Sequence, residues 1–225
     1  MTSVAATALY DRRRNLTYLR PRWRGWLHLA CFEASLVMGT LLIATAQGAR
    51  QHIAAAVYAG AVSGLFGVSA LYHRGRWSTR AALWLQRLDQ VMILVLIAGT
   101  STPPLLLCLP AAAALIAVAT IWAITALATV TRQVWLAAPE PLVGAMFLTL
   151  GWAAAAAVPA VWIDAGIAPA ILLISGGVLY TVGAVCYHHR CPDPAPAVFG
   201  YHEVFHLFVS AAAVCQFTAI AIYIL

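Results

Sequence analysis

YHEVFHLFVSAAAVCQFTAIAIYIL, residues 201–225, decides what kind of chain this is. From Leu207 onward it holds no Asp, Glu, His, Lys or Arg. A helix needs roughly 20 mostly apolar residues to cross a bilayer, and this run supplies them. Its first six residues contain H-E-x-x-H, with His202 and His206 one helical turn apart and Glu203 between them. On a helix that spacing puts both imidazoles on one face, as a zinc site requires. The stretch therefore predicts a membrane span with a metal site at its mouth.

The rest of the chain extends the first prediction. Of 225 residues, 63% are hydrophobic and only 9% charged, against about 25% charged in soluble domains. No polar domain separates the hydrophobic stretches, so they form one membrane bundle. All 13 Lys-plus-Arg residues are arginine and the net charge is +6. Arginines crowd the first 24 positions and the short loops, a pattern of membrane topology with no nucleic-acid partner implied. Cys31, Cys108, Cys186, Cys191 and Cys215 have no framework spacing and read as reduced packing residues. The apolar run from Trp26 to Ala46 exceeds the about 7–15 residues of a signal peptide's core, which predicts a retained first span.

Seven spans are expected, at about 26–46, 52–72, 85–105, 111–130, 140–158, 168–187 and 202–225. Breaks are placed at AQGARQ, RGRWSTR, STPP with Pro110, APEP, VPAVWIDAGIAP and RCPDPAPA. No period-two alternation supports a β-barrel. The fold class is thus an all-α membrane protein, a seven-transmembrane-helix bundle. Residues 1–25 form a cytoplasmic basic segment and 26–225 the membrane domain. A cytoplasmic N-terminus puts Arg12, Arg13, Arg14, Arg20, Arg22, Arg24, Arg74, Arg76, Arg80, Arg87, Arg132 and Arg190 on one side and Arg50 alone on the other. The positive-inside rule selects that orientation, with the C-terminus outside. The expected location is the inner (plasma) membrane, multi-pass.

Titratable groups inside spans cost free energy, about 2.5–3.5 kcal/mol for an Asp at a helix centre, and mark function. They are His28, Glu33, His73, Asp89, His202, Glu203 and His206. At about 1.5 Å per residue, His73, Asp89, His202 and His206 fall within roughly 10 Å of one depth near the inner face. Ser69, four residues before His73, shares its helix face. Three imidazoles suit Zn²⁺ with a fourth position left for water. His73, His202 and His206 are the candidate metal ligands. Asp89 is the candidate base or water-orienting group, and Ser69 the anchor for that carboxylate or for a substrate carbonyl.

A thermolysin-like protease would use Glu203 as base, and it lies roughly 100° from His202 and 60° from His206 around the helix. It would also need a third ligand after the motif, and residues 207–225 hold none. An intramembrane protease would place an L-D-G segment after the motif. Here LDQ at 88–90 precedes it. His28 reads as a packing or interfacial histidine, Glu33 as a residue needing a partner, and His188 and His189 as solvated. Trp23, Trp26, Trp77, Trp84, Trp135 and Trp162 predict an interfacial belt, and GWAAAAA at 151–157 close helix packing.

SALYH (69–73), RLDQVMILVLIAGTSTP (87–103) and GGVLYTVGAVCYHHRCPDPAPAVFGYHEVFHLFV (176–209) resemble the bacterial haemolysin III proteins. These belong to the superfamily of progestin and adiponectin receptors (PAQR). The resemblance spans residues 24–225. It implies seven helices with the N-terminus inside, zinc on His73, His202 and His206, and Asp89 and Ser69 beside it. It also implies kinship with ceramidases that hydrolyse a lipid amide. RPRWRGWLHLACFE keeps the family's His28 but lacks a Glu and an Asn common there, and Gln90 stands where a His is frequent. Two functions follow as expectations. One is a zinc-dependent hydrolase of a lipid amide or ester at the inner leaflet. The other is a non-enzymatic membrane regulator, sensor or pore with a structural zinc.

Overall fold

The computed structural model describes residues 8–11, 16–135 and 138–225. It opens on an antiparallel hairpin that the sequence did not announce, β1 (Ala8–Asp11) with β2 (Leu16–Leu19). The helices are α1 (Trp26–Thr45), α2 (Gly48–Arg74), α3 (Thr79–Leu107) and α4 (Ala111–Val134). Then come α5 (Glu140–Ala153), α6 (Val158–Ala165), α7 (Ile167–His189) and α8 (Tyr201–Thr218). A 3₁₀ turn, Ala154–Ala157, joins α5 to α6, and a π-helical turn, Ala219–Ile224, extends α8. Among the described residues seven spans are long and apolar enough to cross a membrane, the fifth being Pro141–Ala165. The protein is a seven-helix, multi-pass membrane protein.

Two expected breaks are helical in part, the chain breaking at Pro110 and Gly166 within them. STPP lies inside α3, which ends only at Leu107. Proline removes a backbone donor, but membrane helices tolerate it where neighbours supply other polar contacts. Ser101 and Thr102 donate to the Ile97 and Ala98 carbonyls at 2.6 and 2.8 Å, and Trp122 Nε1 donates to Thr102 Oγ1 at 3.1 Å. The fifth span likewise runs past the expected end at 158. The 3₁₀ turn resets the chain so that Pro159 sits in the first turn of α6, where its missing N–H has no partner to lose. Gly166, at φ 95°, ends the span.

α2 and α3 carry the most buried spans, with α1 packed on α2, α4 on α3 and α8 on α7. The α2–α3 pair packs tightly at Gly99, where an added Cβ would stand 2.3 Å from the Ala61 methyl. The tight packing expected of GWAAAAA is confined to Ala157, the one buried residue there. The remainder faces outward or is half-buried, because small residues serve lipid-facing positions as well as contacts. All six interfacial tryptophans named above are exposed, as a belt at the membrane surface requires.

Alternation of the spans brings seven helix ends to one end of the bundle: the starts of α1, α3, α5 and α8 and the ends of α2, α4 and α7. The segment before α1 is stitched across this end. Arg22 N–H donates to the Ala197 carbonyl at 3.1 Å and Trp23 N–H to the Val198 carbonyl at 3.0 Å. Gly25 then turns with φ 77°, passing so close to α2 that a Cβ would stand 2.9 Å from His73 Cβ. Glycine alone fits there, since both the left-handed backbone and the clearance exclude a side chain.

Candidate metal centre

His73 is in the last turn of α2, and His202 and His206 occupy successive turns at the start of α8. The three ligand atoms lie within 4.8 Å of one another. Two imidazole nitrogens on one tetrahedral zinc, each about 2.0–2.1 Å from the ion, stand about 3.3 Å apart. His73 Nε2 and His202 Nε2 are 3.2 Å apart. Spacing, burial and donor chemistry therefore fit a divalent ion that favours imidazole. Aromatic edges hold the rings: Tyr72 beside His73 at 4.6 Å between centroids, and Tyr187 against His202 at 5.4 Å.

Asp89, on α3, places Oδ2 3.9 Å from His73 Nε2. Its side chain is 20% exposed against 9% for His73, making it the open side of the group. Ser69 is buried one turn before His73 on the same face of α2. The sequence-predicted residues thus meet, from three helices, at one end of the bundle.

Glu203 answers the protease question. One carboxylate oxygen, Oε2, accepts from the Gly200 N–H at 2.8 Å, capping α8. The other forms a buried ion pair with Arg24 Nε. An acidic group in the first helical turn also meets the positive end of the helix dipole. With both oxygens engaged, Glu203 braces the motif and is not placed to act as a base. Asp193 Oδ1 adds a second cap, accepting from the Tyr201 N–H at 3.0 Å.

Two participants escaped sequence reading. Arg24 is buried beneath the site and is no loop charge. His28, expected only to pack, lies inside the cluster: Nδ1 is 2.8 Å from Ser69 Oγ, and its ring lies flat on that of His206, 3.7 Å between centroids and 3° from parallel. Retention of His28 in RPRWRGWLH was the available signal, but spacing along one helix cannot show which neighbour it meets. Glu33 points out of the bundle, and His188 and His189 are exposed. Arg20 donates to the Gly75 carbonyl at 3.4 Å. Its guanidinium is lowered by burial and then by the nearby charges of Arg24 and Arg74, so arginines crowd this entrance.

The sequence profile described as haemolysin-III related matches residues 16–217, a range that takes in every residue of the cluster. The chain belongs to the haemolysin III-related family. As a member of that family it presents the Ser-x-x-x-His of α2, the Asp of α3 and the His-x-x-x-His of α8 as one buried group.

Proposed function

We propose that the protein is a zinc-dependent hydrolase of a lipid amide or ester, working at the inner leaflet of the plasma membrane. The observation that carries this reading is the position of Asp89, 3.9 Å from His73 within a buried set of three imidazoles. His73, His202 and His206 would hold the ion. Bound there, zinc supplies Lewis acidity, polarising a carbonyl and making water nucleophilic near neutral pH. Asp89 takes and holds the proton released, and Ser69, one turn before His73, lines the same face for a substrate carbonyl. Burial of the imidazoles excludes bulk water, while the partly exposed Asp89 side admits a substrate laterally from the bilayer. The arginine distribution supports a cytoplasmic N-terminus, which sets the cluster at the inner leaflet.

The same proximity supports a second reading, a regulator or sensor with a structural zinc. A small movement would make Asp89 a fourth protein ligand, and a closed tetrahedral site has no open position for chemistry. Metal content by mass spectrometry on the detergent-purified protein, with His73→Ala and His206→Ala beside it, tests the centre. About one zinc per chain, lost in both variants, is expected. Turnover of lipid amides and esters by the wild type and Asp89→Ala then separates the readings. Zinc without turnover of either class favours the structural one, and absence of zinc from wild type defeats both.

A further inference from the structure

His28 is more than a neighbour of the cluster. A histidine's ring torsion is broad and roughly two-fold, so the backbone rotamer leaves the imidazole plane open. Something must fix it before a nitrogen can point at an ion. Of the three ligand rings, His206 is the one with another ring lying flat upon it among the described contacts. His28 is itself braced from behind by the edge of Phe66, 5.0 Å between centroids and 75° apart. The series Phe66–His28–His206 thus sets one ligand plane from α1 and α2 although the ligand belongs to α8.

The polar edge of His28 carries a second connection. Ser69 Oγ lies 2.8 Å from His28 Nδ1, so the edge of the ring is tied to α2 one turn before His73. One imidazole therefore touches a ligand through its face and Ser69 through its edge.

We propose that His28 is a positioning residue of the metal centre, fixing the plane of His206 by stacking. The inference rests on the metal-centre reading above and assigns His28 no place among the ligands.

The test uses the full chain in detergent, stripped of metal and titrated with Co²⁺ as a spectroscopic probe, with zinc affinity measured by competition against a chromophoric chelator. His28→Phe keeps a flat ring, and His28→Leu keeps bulk without a plane. His28→Leu is expected to weaken zinc binding about tenfold or more, the usual effect of removing a group that orients a ligand. It should also shift the Co²⁺ visible bands. His28→Phe is expected to retain the wild-type bands. Wild-type affinity and bands in His28→Leu overturn the proposal while leaving the metal centre standing. Equal damage in both variants overturns it too, because a ring plane would then not be the cause. If His28→Leu does not fold, His28→Phe decides, and altered bands in it count against the proposal. A wild type that takes up neither ion overturns the metal-centre reading and this one with it.

Discussion

Arg24 and Glu203 stand 179 positions apart in sequence and form a buried pair beneath the imidazoles. Removing one member of such a pair strands a charge and costs about 3–5 kcal/mol, whereas replacing both with apolar residues is often neutral. Arg24→Met alone should therefore lower the thermal midpoint in detergent sharply, and Arg24→Met/Glu203→Leu should recover most of it. A double variant as unstable as the single would show that Glu203 acts mainly as the α8 cap. On the proposed reading Asp89 serves the chemistry and is distinguishable from the ligands. Asp89→Ala is expected to keep zinc while reducing turnover by about 10²–10⁴-fold, and His206→Ala to lose the zinc itself. Loss of zinc from Asp89→Ala would instead make that carboxylate a ligand.

Between helices, the tightest constraint is Gly99 against Ala61, with 2.3 Å to an added Cβ. Gly99→Ala must push α2 and α3 apart, and overpacking of this kind costs about 1–3 kcal/mol. A lowered unfolding midpoint checks it, and Gly151→Ala, at an open position, should be nearly silent. The same comparison explains what was legible in the sequence. Span number, the break at RCPDPAPA and the depth of His73, Asp89, His202 and His206 follow from hydropathy and helix rise, which need no tertiary information. Helix rotation about its own axis does not, because lipid and core are equally apolar and no polar face marks the outside. For that reason His28 could not be paired with His206, nor GWAAAAA separated from true contacts. At STPP with Pro110 and at VPAVWIDAGIAP the helix runs further into the stretch than expected before breaking at Pro110 and Gly166, because membrane helices tolerate internal proline.

For the whole molecule, orientation is the property that turns geometry into a place of action. Cys191 is exposed on the loop between α7 and α8, beside the histidine cluster. In a variant keeping only that cysteine, a membrane-impermeant maleimide should label inside-out vesicles and leave intact cells unlabelled. Labelling of intact cells would move the cluster to the outer leaflet. Removing metal should act globally as well, since an ion bound only by the folded state stabilises it by mass action. A chelator is expected to lower the wild-type unfolding midpoint and leave that of His206→Ala unchanged.

The backbone stitches from Arg22 and Trp23 to Ala197 and Val198 also set an order of events during synthesis. A ribosome delivers α1 well before α8, so the turn leading into α1 waits for its partner while the intervening helices are made. Through that interval Arg24 has no Glu203, and His28 and His73 have neither His202 nor His206. The site is completed only when α8 arrives, and a chain cut short before α8 leaves an unmatched arginine beside two histidines.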